Sequence, residues 1–305
     1  MRRNNSCVNP ACPPPFQAWL EAEAVAGPQR SYRLARKLPE QLRRLGRTAA
    51  ARADWAVAHT LFWMGRFEES HALLAAIRID AITPEADTES NLALRIPLQL
   101  SWALALLGEA EEALEQARRA VNWVEAQPKI QPERVHLALA CNSLGLLYCF
   151  LDAPDVVLAW SRQAQESAVA SSDMDEASLL EYWALSRLGR ATDEARVQTA
   201  LANLRRHSPA QEARAFSLYA QALFHHSPSH ALTQLDAALD LNARFGLHHW
   251  EARLMLLKSR SLDASGQLSE ASRFHRLAKE TAQRQGARLF LNDIEGIESR
   301  TQASQ

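Results

Sequence analysis

One short phrase recurs along most of this chain and leaves few folds open to it. Each copy contains an apolar helical stretch, a glycine or its replacement, a short turn that is often acidic, and the start of a second helix. Six copies are present, at residues 62–70, 106–113, 150–155, 187–195, 225–231 and 265–271. The turns recur every 36 to 44 residues. A repeat of this length is typical of a solenoid, in which each helical pair packs only on its neighbours.

The residues of this phrase have separate physical roles. Glycine ends the first helix because it adopts the left-handed conformation at little cost. The acidic residues that follow lie at the positive end of the second helix, where they stabilise it. Each phrase therefore predicts a turn between two helices. We take the equivalent turn positions to be Gly65, Gly108, Asp152, Arg190, His226 and Gly266.

The spacing of apolar residues supports helices throughout the repeats. One stripe at helical spacing is formed by Val135, Leu139, Asn142, Leu146 and Phe150. No segment alternates apolar and polar residues between turn signals, so we predict essentially no sheet. Pro97 lies inside the helical pattern of residues 89–107, and this helix is expected either to start near Ile96 or to kink there.

Composition bounds the organisation of the chain. Its 305 residues are 47% hydrophobic, which is enough for a long stack of small cores. No run of about 18 apolar residues occurs, so we predict no membrane span. The start of the chain lacks the apolar stretch of a signal peptide, which favours a cytoplasmic location. We predict a disordered Pro-rich segment at 1–15, a single solenoid at 16–298 and a polar tail at 299–305.

Charge and motifs give no support to nucleic-acid binding or catalysis. The chain has 34 basic and 35 acidic residues and a net charge of −1, so no overall positive field attracts a phosphate backbone. The nucleotide-binding loop and the zinc-protease motif are both missing from the sequence. We therefore predict no catalytic residue, no cofactor and no enzyme activity.

The cysteines give only a weak indication of a metal site. Cys7 and Cys12 could form half of a zinc site, but no second closely spaced pair of ligands lies nearby in the sequence. Cys141 and Cys149 lie in an apolar helical pattern and are interpreted as small core residues.

The histidines could also bind metal, because His225, His226 and His230 cluster around one turn. Pro228 breaks the helix that would align the last two of them. We interpret these histidines as polar turn residues, and no metal site is predicted.

Several segments resemble the tetratricopeptide repeat. The segment 142–148 is similar to its first helix, with a Leu-Gly pair and a following Tyr. Its turn and second helix are matched by Gly108 with Ala113, Ala117 and Ala120, and by Gly266 with Ala271 and Ala278. The long repeats resemble the sensor regions of bacterial maltose-regulator-type and diguanylate-cyclase signalling proteins. The resemblance implies an all-α, right-handed superhelical solenoid of about six to seven antiparallel hairpins.

The tetratricopeptide frame also implies which first-helix residues face the concave surface. Trp and Arg are residue types that anchor binding partners, and they suit an extended peptide with acidic and apolar groups. The alternative for each aromatic residue is a place in the core between hairpins. The predicted partner-binding groove consists of Arg52, Trp55, His59, Phe62, Trp63, Arg95, Trp102, Asn142, Trp183, Arg187, Arg253 and Arg260.

Two functions remain open at this point. The first is a non-catalytic scaffold that binds a peptide or helix of another protein in its concave groove, in bacterial signalling or transcriptional regulation. The second is a small-molecule-sensing domain, since no output domain of the similar regulators is found after residue 290. The sequence leaves the partner and the oligomeric state undetermined.

Overall fold

The computed structural model describes residues 14–78, 92–126, 132–226 and 228–303. All regular structure within these ranges is helical, and they contain no strand. None of the described helices is both long enough and apolar enough to cross a membrane. The predicted all-α class is confirmed.

The chain begins with short helices that precede the repeats. Helix α1 (Pro14–Ala26) packs on α2 (Pro28–Ala35), and α3 (Leu38–Leu42) with a 3-10 turn (Arg43–Leu45) leads into the first hairpin. Pro28 is the first residue of α2. The backbone nitrogen at this position forms no hydrogen bond within a helix, so the missing N–H of proline costs nothing there.

Six helical hairpins follow in the described ranges, and the two helices of each hairpin pack on one another. In every hairpin except the last, the second helix also packs on the first helix of the next hairpin, which is the contact pattern of a solenoid. A final helix, α16 (Arg288–Ala303), packs on α15. The hairpins are α4 (Arg47–Trp63) with α5 (Phe67–Ala76), α6 (Leu92–Leu106) with α7 (Ala110–Ala126), α8 (Pro132–Phe150) with α9 (Pro154–Ser167), α10 (Ser171–Arg187) with α11 (Glu194–His207), α12 (Pro209–His226) with α13 (Pro228–Phe245), and α14 (Glu251–Ala264) with α15 (Leu268–Gln285).

The turns between paired helices follow the predicted phrase, with one shift of register. Gly65, Gly108 and Gly266 adopt positive φ angles of 75°, 85° and 74°. In the fourth hairpin the left-handed residue is Gly189, with φ 66°, and not Arg190, the position we had predicted. Asp152 takes the place of glycine in the third turn with φ 53°, and it is the one non-glycine residue with positive φ in the described ranges.

Other local predictions have different outcomes. Cys141 and Cys149 are fully buried, as predicted for core residues. Pro97 lies inside α6, which begins before it, so the predicted start near Ile96 is wrong. Helix α1 begins at Pro14 and α16 extends to Ala303, beyond the limits of 16 and 298 predicted for the solenoid. Cys7, Cys12 and the side chain of His230 lie outside the described residues.

The start of the chain packs against its last third. Helix α1 contacts α12, and α2 contacts α13. The Ser208 hydroxyl donates to the Ala24 carbonyl at 3.0 Å, and the His248 amide donates to the Trp63 carbonyl at 2.7 Å. At Gly27 an added Cβ would lie 2.3 Å from the Phe245 carbonyl oxygen, so this contact requires glycine. The solenoid thus curls back on itself, and α1 covers part of the groove that the repeats alone would leave open.

Candidate ligand-binding chamber

This closure produces a chamber of about 540 Å³ inside the solenoid. Its walls come from α1, from the first helices of successive hairpins (α4, α6, α8, α10 and α12) and from Ser208 just before α12, while no second helix of a hairpin contributes. First helices line the inner surface because the second helices pack outside them. The chamber is lined by Trp19, Leu20, Glu23, Ala24, Trp55, His59, Trp63, Arg95, Leu98, Gln99, Trp102, Leu139, Ser143, Ser171, Ser172, Glu176, Ser208, Gln211 and Arg214.

Aromatic rings form one continuous wall of the chamber. Trp55, His59 and Trp63 follow one another every four residues on α4, so they lie on one face of that helix. The Trp19 ring of α1 stands edge-on to Trp55 at 5.9 Å, and Trp102 of α6 lies 5.8 Å from Trp63. The wall provides a large apolar surface that is already ordered before a ligand arrives.

Hydrogen bonds fix the orientation of this wall. The Trp63 indole N–H donates to Nε2 of His59 at 2.9 Å, and the Trp102 indole N–H donates to the Ser143 carbonyl at 2.9 Å. Burial, together with the charges of Arg214 and Arg95, holds the pKa of His59 well below its ordinary value. His59 is therefore neutral and serves as an acceptor for Trp63.

Two arginines cover indole faces within the chamber. The Arg95 guanidinium lies 5.3 Å from the centre of the Trp55 ring, and the Arg214 guanidinium lies 4.6 Å from that of Trp63. Arg214 also forms an ion pair of 2.9 Å with Glu23 of α1, in which both side chains are largely buried. This pair joins residues 191 positions apart and ties α1 to α12.

Glu176, in the second turn of α10, lies in an electrostatic environment that differs from that of the ion-paired Arg214. No hydrogen bond or ion pair connects its carboxyl group to another side chain in the described ranges. Burial, and after it the negative charge of Asp173, raise the pKa of Glu176 to about 7, although Arg214 acts in the opposite direction. A carboxyl group that is surrounded by protein but faces a cavity is thus close to half-ionised at neutral pH.

Gln99 is a second polar group without a normal partner. Its residue is only 2% exposed, and neither its amide oxygen nor its amide nitrogen forms a hydrogen bond of normal geometry in the described structure. The amide lies beside His59 and raises the pKa of that ring slightly. Unpaired buried amides are unusual, because leaving each such atom unsatisfied costs about 1–3 kcal/mol.

A smaller cavity of about 70 Å³ adjoins the chamber and shares Trp63, Trp102, Glu176, Gln211 and Arg214 with it. His249 lines this cavity, and its ring stands edge-on to Trp63 at 4.4 Å. Burial, followed by the charges of Arg214 and His248, lowers the pKa of His249 well below its ordinary value. The neutral imidazole therefore behaves as one more aromatic ring of the core.

The structure brings together five of the predicted groove residues and separates the other seven. The five that line the chamber are Trp55, His59, Trp63, Arg95 and Trp102. Phe62 and Trp183 are 0% exposed and lie in the core, so the structure corrects their assignment to the groove surface. Both belong to the main hydrophobic core, where the Phe62 ring packs on the rings of Phe67 and Trp102.

Two more predicted residues are buried behind the chamber wall. Arg52 is buried and lies over the Phe16 ring of α1 at 5.7 Å. Asn142 is buried and its amide donates to the Asp173 carbonyl at 2.9 Å, which holds the start of α10 against α8. Neither residue is among those that line the chamber.

The remaining predicted residues, Arg187, Arg253 and Arg260, belong to a separate arginine cluster around Asp152 and His225. Arg187 donates from Nε to Asp152 at 2.8 Å and from its terminal nitrogen to the second carboxylate oxygen, and Arg253 lies 4.0 Å from the same carboxylate. Burial alone would raise the pKa of Asp152, but these arginines hold it below its usual value. Burial and the charges of Arg187 and Arg253 lower the pKa of His225 to about 3.

Sequence reasoning missed several chamber residues. Trp19 and Glu23 come from α1, which lies outside the repeat, and only their spacing of four residues on one helix face could have drawn attention to them. Glu176 lies near the beginning of α10, where the tetratricopeptide frame gave only the later positions Trp183 and Arg187, and the frame gave no position for α12, which carries Arg214. In the described residues, no group of three or more His, Cys, Asp or Glu side chains is placed to hold a metal ion.

Neither a protein-family model nor a curated protein sequence matches this chain. Among solved structures, the chain is similar to the crystal structure of a Rap protein complexed with competence and sporulation factor, with a TM-score of 0.57 and 9% sequence identity. The similarity covers 92% of this chain and 78% of that chain. At this identity the similarity shows the fold, a tetratricopeptide-like helical solenoid. The finer prediction, of a sensor-region subtype, stays a prediction.

Proposed function

We propose that this protein is a non-catalytic binding scaffold that holds a short segment of another protein in its chamber and acts in signalling or regulation. One observation carries the proposal: the first helices of five hairpins and α1 converge on a single concave space of about 540 Å³. This volume lies within the range of about 300–1,000 Å³ that is usual for ligand sites. The unpaired polar atoms of Gln99 and Glu176 give such a ligand groups to bind.

The size of the chamber favours a short segment over a helix. An α-helix with its side chains is about 10–12 Å across, so roughly one turn would fill the whole volume. A few extended residues fit better, with apolar side chains on the indole wall and backbone amides on Gln99. The proposal therefore narrows the expected partner from a peptide or helix to a short extended segment.

The chemistry of the chamber favours binding over catalysis. His59 is neutral and accepts a hydrogen bond from Trp63, so it is not arranged as a base for a serine or cysteine nucleophile. The solved Rap protein that shares this fold is complexed with competence and sporulation factor, which supports a role for the fold in holding a ligand. The net charge of −1 agrees with a partner other than nucleic acid.

The test compares two variants that carry the same type of substitution. In one variant the new side chain blocks the chamber, and in the other it lies outside the chamber. Ser172→Trp places a large ring in the chamber, whereas Ser272→Trp places it on the exposed face of α15. Each protein is incubated with the small molecules of an extract from the producing cell, together with peptides from a partial digest of its proteins, and is then washed on an ultrafilter. Mass spectrometry identifies the retained molecules, and circular dichroism checks that all three proteins are helical.

Retention of a peptide by the wild type and by Ser272→Trp, with loss in Ser172→Trp, would support the proposal. A compound retained equally by all three proteins would show that the chamber is not the site. Such an outcome would contradict the proposed function.

A second candidate function is small-molecule sensing, because the chamber is concave and its volume falls within the size range of small-molecule sites. Complete digestion of this mixture with a protease before incubation separates the two functions. A retained molecule that is lost after digestion is a peptide. A retained molecule that survives digestion, and that Ser172→Trp does not retain, indicates a metabolite sensor.

A further inference from the structure

The carboxyl groups in and around the chamber differ in their partners. Arg214 is paired with Glu23 at 2.9 Å, and Arg95 acts on the Asp173 carboxyl group, whose pKa it lowers against a larger rise caused by burial. Glu176 is left without a hydrogen bond or ion pair in the described ranges. Among these groups, Glu176 forms no ion pair with a cation of the described residues, and Arg214 acts on it only at longer range.

Glu176 shares its cavities with an indole ring that carries no cation of the described residues. Glu176 and Trp102 both line the chamber and the smaller cavity beside it. The faces of Trp55 and Trp63 carry Arg95 and Arg214, but no cation of the described structure stacks on Trp102. An unpaired carboxyl group in a chamber lined by indole rings is an arrangement that attracts a ligand cation by charge and by cation–π interaction.

We infer that the chamber recognises a ligand through a basic nitrogen, an ammonium group held between Glu176 and the Trp102 ring. This inference rests on the proposed function and specifies the chemistry of the same site. The ammonium group could be the amino terminus of a peptide or a lysine side chain, and both carry a positive charge near neutral pH.

This inference departs from the acidic peptide that the groove arginines suggested. Arg214 is already neutralised by Glu23, and Arg253 and Arg187 share Asp152 in the arginine cluster. Within the chamber, Arg214 thus already has a partner, whereas the Glu176 carboxyl group has none among the described residues. Gln99 adds an amide that can both donate to and accept from the peptide backbone next to that ammonium group.

The experiment uses synthetic pools of short peptides with random sequences and the full-length protein. Four pools are prepared, with the amino terminus either free or acetylated, and with lysine either included or omitted. Each pool is incubated with wild-type protein at about pH 7.5, where amino groups and Glu176 both carry substantial charge. Retained peptides are quantified by mass spectrometry after ultrafiltration.

The matched variants are Glu176→Gln, which removes the charge at constant size, and Glu112→Gln, which makes the same change on the exposed surface of α7. We expect acetylation to reduce retention from the lysine-free pool about tenfold or more. This preference should persist in Glu112→Gln and disappear in Glu176→Gln. Recovery of retention in the acetylated, lysine-containing pool would identify the side chain as an accepted source of the ammonium group.

The outcomes separate this inference from the proposed function. Equal retention of free and acetylated peptides by the wild type would overturn the ammonium inference, while the short-segment function would stand. An amine preference that is unchanged in Glu176→Gln would also overturn it. Failure of the wild type to retain any peptide from the four pools would refute the proposed function and the inference together.

Discussion

The chamber and the arginine cluster both gather ionisable side chains from distant hairpins, but they use them differently. In the arginine cluster, Asp152 receives two hydrogen bonds from Arg187 and lies near Arg253, so its charge is fully used within the fold. In the chamber, Glu176 has no such partner and Gln99 has unpaired amide atoms. Satisfied charges connect the turns of a solenoid, whereas unsatisfied charges in a cavity indicate a place for a ligand.

The largest effect is expected from breaking the Glu23–Arg214 pair. Its loss should lower the free energy of unfolding more than the loss of the Asp152–Arg187 pair. Glu23→Ala leaves the largely buried Arg214 charge without its 2.9 Å partner and is expected to cost about 3–5 kcal/mol. Arg187→Ala breaks a more exposed pair and is expected to cost about 1 kcal/mol or less. Urea unfolding followed by circular dichroism measures both.

Glu21→Ala, on the exposed side of α1, is the control for this comparison and is expected to change the free energy of unfolding by less than about 0.5 kcal/mol. Similar losses for Glu23→Ala and Arg187→Ala would contradict the distinction between the two regions. They would imply that solvent in the chamber screens the Glu23–Arg214 pair as well as it screens a surface pair.

A smaller effect is expected from Glu176→Gln, and it depends on pH. The pKa of Glu176 is raised to about 7 in the folded protein from an ordinary value of 4.5. Between these values the folded state binds more protons than the unfolded state, so the stability of the wild type falls as pH rises towards 7. Glu176→Gln lacks this loss. Its free energy of unfolding should therefore rise relative to that of the wild type by roughly 1–3 kcal/mol as the pH increases from 5 to 8.

The measurement is the difference in unfolding free energy between the two proteins at several pH values. Asp173 and Arg214, the charged groups that act on Glu176, are unchanged in both proteins. A difference that stays constant with pH would show that Glu176 is ionised normally, as a solvent-exposed carboxyl group would be.

The smallest effect concerns the backbone at Asp152. Both Asp152→Gly and Asp152→Ala remove the carboxylate from the arginine cluster, so comparing the two variants isolates the backbone contribution. With φ at 53°, alanine in this left-handed conformation is expected to cost about 1 kcal/mol more than glycine. Thermal unfolding of the two variants gives this difference directly. Equal melting temperatures would indicate that the turn rearranges when the carboxylate is lost.

The sequence predicts well what short-range patterns encode. The turn glycines and the apolar stripes predict the hairpins because a left-handed residue and a helical period are local properties. The same period identifies Trp55, His59 and Trp63 as one face of α4. Phe62 was misassigned because it adjoins that face, and periodicity does not tell which neighbouring face meets the next hairpin.

The rest of the chamber depends on long-range contacts that no local pattern carries. Glu23 and Arg214 are 191 positions apart, and their pairing follows from the curvature accumulated over all the intervening hairpins. Small rotations between successive repeats set that curvature. The unpaired state of Glu176 could be recognised only after the partners of Arg95 and Arg214 were known.

The contact of α1 with α12 also sets when the protein becomes able to bind. Helix α1 leaves the ribosome well before α12, which ends at His226. At about 5–20 residues per second, synthesis of the intervening chain takes roughly 10 to 40 s. A product released before α12 is made has the aromatic residues of α4 but no closed chamber, so interrupted translation yields chains that cannot compete with the finished protein for its ligand.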